Sequence, residues 1–299
     1  MILKENSSER KLRGAYYTPL KLAEKMVEIF NTDLSIATIL EPSCGDGVFI
    51  DALIETNFMK RQNKVTAIEI EKNEAEKLSK KLSSMANIRV VNGDFFEFYQ
   101  EYKEVKKYDL ILGNPPYIRY QYLESKQRAE MADILIQHGM RANKLINTWV
   151  GFMVACVHML SPNGKIAFVV PAEILQVAYA EELRLFLANE LSKITLLTFE
   201  ELVFPDIEQE VVVFIGERGA TEKGIKIVEL NNLDDLESLD INANGFQKLS
   251  HVHEKWTKYF TTVQENQLIS RIREDARFQK LSNTGIINVG ITTGNNKYF

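Results

Sequence analysis

Four consecutive residues, Asn114-Pro115-Pro116-Tyr117, carry the most specific chemistry in this sequence. They end the apolar run of "ILGNPPYIRY". A strand ladder cannot continue through Pro-Pro, because neither ring nitrogen can donate. A residue before proline is pushed to extended backbone, so Asn114 and Pro115 are both held open. The corner therefore offers two acceptors, the Asn114 side-chain oxygen and the Pro115 carbonyl, with no competing N–H. An exocyclic NH2 group is a two-donor partner for such a pair. Its lone pair would point in a third direction, and Tyr117 would stack on the base that carries it.

Acids stand at three other strand ends. "LEPSCGDGVF" follows an apolar stretch and opens a helix, with Gly45 and Gly47 permitting a tight turn and close backbone approach to a ligand. The loop is neither the dinucleotide fingerprint nor a P-loop. Glu41 before it and Asp46 inside it would repel phosphates and suit a cationic ligand. Taken alone, the loop reads equally well as an ordinary glycine turn. Glu69 ends "AIEI", where an acid can accept from both ribose hydroxyls, as in dinucleotide folds. Asp94 in "VVNGDFF" could accept from an exocyclic amino group, with Phe95 against a purine face. Each acid alone is an ordinary strand-end residue. Together they describe an adenosine site without phosphates that tolerates positive charge, which S-adenosylmethionine fits.

The elements that must position these residues alternate. "ATIL", "KVTAIEI", "IRVV", "DLILG", "KIAFVV", "KITLLTF" and "QEVVVFIGE" read as seven strands, separated by helical stretches such as "EKNEAEKLSKKLSSM" and "NTWVGFMVACVHML". Nearly all-apolar strands are expected where both sheet faces are covered. The order predicts a doubly wound, mainly parallel sheet, which binds ligands beyond the carboxyl ends of its strands. "SPNG" predicts a turn before "KIAFVV". After about residue 220 the pattern weakens into a polar connector with a helix at "VQENQLISRIRE". The last stretch, "LSNTGIINVGITTGNNKYF", suggests a new β unit. The expected division is 1–230 for the catalytic domain, 231–280 for the connector and 281–299 for the start of a truncated further domain.

Composition narrows the classes. The chain has 299 residues, 45% hydrophobic and 26% charged, with a formal net charge of −5. That is globular rather than disordered, and not the basic balance of a nucleic-acid coat. No apolar run reaches the roughly 17–25 residues of a membrane helix, and the charged N-terminus lacks a signal-peptide core. Cys44 and Cys156 are far apart and in no metal-ligand spacing. A cytoplasmic protein without a structural metal is expected.

The order of motifs carries a resemblance. "GAYYTP", "EPSCGDG", "AIEI", "GDFF", "ILGNPPY", "FVVPAEIL" and "VFPDIEQEVVVF" resemble the γ-class DNA adenine-N6 methyltransferases of restriction–modification systems, of which the TaqI methylase is the type example. The resemblance covers roughly residues 14 to 217 and reaches the start of a target-recognition domain at 281 to 299. It implies the seven-stranded, Rossmann-like fold of S-adenosylmethionine-dependent methyltransferases. It also implies in-line methyl transfer to the adenine amino nitrogen, double-stranded DNA as partner, and a cognate restriction endonuclease acting on the same site. Carried over by position, Asn114, Pro115, Pro116 and Tyr117 are the catalytic residues. Thr18 would contact the methionine part of the cofactor, Glu41 its amino group, Glu69 the ribose and Asp94 the adenine amino group. Pro42, Gly45 and Gly47 form the cofactor loop, and Ile70, Phe95 and Phe152 line the adenine pocket. Phe204 resembles the aromatic that packs on the flipped base opposite Tyr117. The family loop often begins with small residues where this chain has Asp46.

Four rivals stand at this level, one of them a fused endonuclease, although "PDIEQE" lacks the following Lys of a nuclease acid cluster. A protein-glutamine enzyme shares the corner but would carry a helical domain ahead of the site. An RNA enzyme shares it too. A non-catalytic DNA-recognition subunit would not need Asn114-Pro115-Pro116-Tyr117 intact. With little basic surface in residues 1 to 299, the chain is expected to act as a catalytic portion of a longer methyltransferase that binds cofactor well and DNA weakly.

Overall fold

A computed structural model describes residues 18–61, 63–142, 146–203, 210–241, 245–279 and 281–285. The chain divides into two compact units, Met1–Tyr259 and Phe260–Phe299.

The first unit is built on one sheet. In chain order its strands are β1 (Thr38–Glu41), β2 (Lys64–Glu69), β3 (Ile88–Asn92), β4 (Tyr108–Gly113), β5 (Leu160–Pro171), β6 (Lys193–Phe199), β7 (Val211–Glu217) and β8 (Gly224–Leu230). They lie side by side in the order β3-β2-β1-β4-β5-β7-β6-β8. Only β7 runs against its neighbours, antiparallel to both β5 and β6. The sheet is doubly wound and mainly parallel, as the alternation predicts. Chain order reverses between β1 and β4, which are paired in parallel through Ile39↔Leu110 and Leu40↔Ile111. In sheets of this kind, ligands bind outside the carboxyl ends of the strands at such a reversal.

Helices cover both faces. They are α1 (Leu20–Glu28), α2 (Val48–Glu55), α3 (Lys72–Lys81), α4 (Phe95–Tyr102), α5 (Ser125–Gln137), α6 (Thr148–His158) and α7 (Glu181–Glu190). Alternate strand residues point to opposite faces. Leu40, Ile111 and Phe168 join one core with α4 to α7, while Ile39, Leu110, Leu112 and Ala167 join the other with α1 to α3. β4 is therefore apolar throughout Leu110, Ile111 and Leu112, and all three are buried.

The seven expected strands are present, and an eighth, β8, extends the sheet parallel to β6. It was not legible because "GIKIVEL" mixes Lys and Glu into an edge position. Lys226 is buried all the same, with its ammonium over the Phe246 ring at 4.7 Å. The expected turn at "SPNG" is instead an excursion inside β5. Pairing jumps from Tyr108↔Leu160 to Leu110↔Lys165, so residues 161–164 bulge out while the strand continues. Within residues 231–259, expected as connector, Leu249, Trp256 and Tyr259 are buried in the first unit's core, and the Trp256 ring stacks at 9° on Phe214. In the second unit α8 (Val263–Glu274) forms where the sequence predicts it, started by a capping box between Thr262 and Glu265. Most of the expected further β unit, 286–299, lies outside the described residues.

Candidate active site at the carboxyl ends of the strands

The loop after β1 is fixed by backbone chemistry. Gly45 and Gly47 adopt φ of +53° and +89°. A Cβ on Gly47 would stand 2.5 Å from Leu78 Cδ1 of α3, so this position combines a left-handed backbone with no room for a side chain. Gly47 N–H donates to the Cys44 carbonyl at 2.8 Å, and Cys44 N–H to the Ile68 carbonyl at 2.8 Å. Cys44 is buried and its thiol is pushed up by burial, which leaves it inert.

Glu41, at the end of β1, is 1% exposed. Its Oε2 is shut off from solvent and has no hydrogen-bond partner among the described residues, and the same holds for Thr18 Oγ1. Burial, then the charges of Asp46 and Glu69, hold the Glu41 carboxyl well above the usual range. A buried carboxyl without a partner is costly. This one lies in a negative field that a cation would relieve.

Glu69 is gripped by two backbone donors. Gly45 N–H donates to Oε2 and Glu71 N–H to Oε1, each at 2.7 Å. Burial raises its pKa against these two bonds. One lone pair on each oxygen remains, which is the arrangement two ribose hydroxyls need. Asn92 Nδ2 donates to the Glu69 and Ile70 carbonyls at 2.9 and 3.1 Å, tying the ends of β2 and β3 together. Ile70 is 54% exposed, an apolar side chain standing in water beside the acid.

Asp94 caps α4. Its Oδ1 accepts from Phe96 N–H at 2.7 Å and from Glu97 N–H at 3.4 Å. Its Oδ2 accepts from Gln127 Nε2 at 2.6 Å. Phe95 and Phe152 are buried with ring centroids 4.7 Å apart, and Phe96 stands edge-on to Phe152 at 5.0 Å.

The corner at the end of β4 lies against the loop of β1. Gly113 has φ +155°, and a Cβ there would meet Pro42 Cδ at 3.6 Å and Glu41 Cγ at 3.8 Å. Ser43 Oγ donates to the Asn114 carbonyl at 3.3 Å. Pro115 is buried, and so is the Asn114 side-chain oxygen. Tyr117 donates its hydroxyl to the Val169 carbonyl of β5 at 3.1 Å, which fixes its ring. Past Pro116, Thr148 braces the chain by donating from N–H and Oγ1 to the Ile118 carbonyl at 2.9 and 2.6 Å. The corner is thus held from β1, β5 and the start of α6.

These contacts link Glu41, Pro42, Gly45, Gly47, Glu69 and Ile70 to one another and to the Asn114-Pro115-Pro116-Tyr117 corner. Asp94, Phe95 and Phe152 form a second group at the end of β3. Thr18 is described and buried, while Phe204 and residues 14–17 lie outside the described residues. Sequence reasoning passed over Ser43 and Gln127. The signal for Gln127 was local, the "ESKQ" capping box of α5, but its partner Asp94 is distant in the chain. Among the described residues no three His, Cys, Asp or Glu side chains converge on a metal site, and no helix is long and apolar enough to cross a membrane.

Comparison with known proteins decides the family. Residues 19–204 match the profile described as Eco57I restriction-modification methylase. The chain belongs to that family. A second profile, the C-terminal domain of Type II methyltransferase M.Eco57I, matches residues 253–299. Type II methyltransferase M.HindII of Haemophilus influenzae is 27% identical across 96% of this chain and 55% of its own length. M.AccI of Acinetobacter calcoaceticus is 25% identical across 97% of this chain and 53% of its own length. The chain therefore spans about half the length of these curated relatives. Among solved structures, a DrdV–DNA complex superposes with a TM-score of 0.64 at 16% identity, over 81% of this chain and 31% of that one. A protein of Listeria monocytogenes described as a class I S-adenosylmethionine-dependent methyltransferase gives 0.59 at 14% identity, over 75% and 67%. The fold is that of the class I methyltransferases. The family match takes in the glycine loop, Glu69, Asp94 and the proline corner, and begins one residue after Thr18.

Proposed function

We propose that this restriction-modification methylase transfers a methyl group from S-adenosylmethionine to the N6 amino group of adenine in a specific DNA sequence. The observation that carries the reading is the juxtaposition of a buried acid, Glu41, with the Asn114-Pro115 corner across Gly113, where a Cβ would meet Pro42 Cδ at 3.6 Å and Glu41 Cγ at 3.8 Å. The residues fit the cofactor. Two buried polar atoms, Glu41 Oε2 and Thr18 Oγ1, await partners where its methionine part would lie. Glu69 keeps lone pairs for the ribose, and Asp94 would take the adenine amino group beside Phe95 and Phe152. When bound, the cofactor supplies an electrophilic methyl on a cationic sulfur.

The chain's own work is orientation. Asn114 Oδ1 and the Pro115 carbonyl accept the two hydrogens of the target amino group and turn its lone pair toward the methyl. Tyr117, fixed through Val169, offers its face to the extruded base. Extrusion from a duplex costs a few kcal/mol, which stacking and the acceptor pair offset. The restriction-modification family and the DNA complex of the DrdV neighbour support duplex DNA as substrate, and the family's description supports a cognate endonuclease reading the same site.

The test is incubation of the chain with methyl-labelled cofactor and separate DNA, RNA and protein pools. Label in DNA is expected. Label only in RNA or protein would replace this reading with one of its rivals.

A further inference from the structure

We propose that Gln127 is a positioning residue for the cofactor: its amide holds the Asp94 carboxylate in the orientation that receives the adenine amino group. The inference rests on the proposed role of Asp94, and on the following geometry.

The two Asp94 oxygens have different partners. Oδ1 is committed to the N-terminus of α4 through Phe96 N–H and Glu97 N–H. Oδ2 takes the Gln127 amide at 2.6 Å and keeps a lone pair for a ligand donor. The Gln127 amide cannot turn over freely. Its Oε1 accepts from Glu124 N–H at 3.3 Å, while the Glu124 side chain returns to the backbone of Gln127, closing a capping box at the start of α5. The oxygen of the amide is thus held by its own helix, and the NH2 is left for Asp94.

A second bond runs alongside. Lys126 pairs with Glu97 in the first turn of α4. The starts of α4 and α5 are stitched together by Asp94–Gln127 and Glu97–Lys126. One turn further on, Glu130 Oε2 is buried without a hydrogen-bond partner among the described residues. Burial, then the charge of Asp94, hold the Glu130 carboxyl above its usual range. Asp94 therefore has a like-charged neighbour on α5, and Gln127 is the donor on that helix that keeps its second oxygen in place. Because α5 follows the proline corner in the chain, Gln127 connects the segment behind the catalytic corner to the adenosine site.

The experiment is calorimetric binding of S-adenosylhomocysteine and S-inosylhomocysteine to the chain. The inosyl compound has a 6-oxo group that cannot donate to Asp94, so the wild-type protein should prefer the adenosyl ligand. In Gln127→Leu, adenosyl affinity should fall roughly five- to tenfold, the loss of one ordinary to charge-assisted hydrogen bond, and inosyl affinity should stay within about twofold. Gln127→Met removes the donor without bringing a second carboxyl against Asp94. It should lose the preference as far, and it carries the test if the Leu variant does not fold. Glu124→Ala, which loosens the helix start but leaves the Gln127 amide, should keep the preference. Wild-type preference in both Gln127 variants, or an equal loss for both ligands, overturns the proposal. Asp94→Ala separates the two levels. If it abolishes the preference while the Gln127 variants keep it, the positioning role alone is wrong. If it leaves the preference intact, the reading of Asp94 fails and the inference with it.

Discussion

Replacing Glu41 by glutamine should make the ligand-free protein more stable while weakening its hold on the cofactor. The carboxyl is 1% exposed, with Oε2 lacking a partner among the described residues. Its pKa is raised by burial, then by Asp46 and Glu69. A raised folded-state pKa means the native protein binds this proton more tightly than the unfolded chain does. Its contribution is thus complete below the unfolded pKa, about 4.3, and is lost as pH climbs toward the folded value. Glutamine has nearly the same shape and no proton to lose. Holding this carboxyl protonated above its unfolded pKa, or leaving it buried and unpaired, costs about 1–3 kcal/mol that glutamine avoids. For a domain of this size each kcal/mol moves the Tm by about 2–4 °C. Thermal melts of Glu41→Gln and wild type should coincide near pH 4.5 and separate in favour of the variant by about pH 8, well above the unfolded pKa. Calorimetry should show cofactor affinity falling roughly ten- to a hundredfold, the loss of a charge-assisted bond worth about 1.5–3 kcal/mol. A variant that melts below wild type at the higher pH, or binds the cofactor as well, refutes the reasoning.

Asn114→Ala should reduce single-turnover methyl transfer by about 10²–10³ and leave cofactor affinity within about twofold, because the acceptor pair orients the target nitrogen and not the cofactor; normal turnover would sink the acceptor-pair mechanism. Gly47→Ala should cost about 2–4 kcal/mol in denaturant unfolding, from the left-handed backbone and the contact 2.5 Å from Leu78 Cδ1. A loss that Leu78→Ala fails to relieve in the double variant would assign the strain to the backbone alone. Glu69→Ala removes the acceptor that holds Gly45 N–H at 2.7 Å and the proposed ribose contact together. It should therefore weaken binding of S-adenosylhomocysteine more than binding of methionine, which has no ribose; equal loss for both would point to loop collapse.

The parallel core was legible because strands covered on both faces read as unbroken apolar runs, as "DLILG" and "KIAFVV" do. Strand-end acids stood out because Glu41, Glu69 and Asp94 each interrupt such a run. What escaped was decided by partners distant in sequence. β8 carries Lys226, buried with its ammonium over the Phe246 ring, and no periodicity signals a buried cation. The polar stretch after residue 230 conceals Trp256, whose place is set by stacking on Phe214. "SPNG" has the composition of a turn, yet pairing with β4 resumes on both sides of it. At the site, Gln127 reads as a helix-start residue, and only the fold brings Asp94 to it. The Tyr117 hydroxyl likewise finds its acceptor in Val169 on the next strand.

The most direct test of the central claim is the identity of the methylated nucleoside. Duplex DNA incubated with the protein and methyl-labelled S-adenosylmethionine would be digested and its nucleosides separated by mass. The proposed acceptor pair for an adenine amino group predicts N6-methyl-2′-deoxyadenosine as the labelled product, formed about 10²–10³ more slowly when Asn114 is alanine. Label in a cytosine nucleoside, or N6-methyl-2′-deoxyadenosine formed equally well by Asn114→Ala, would contradict it.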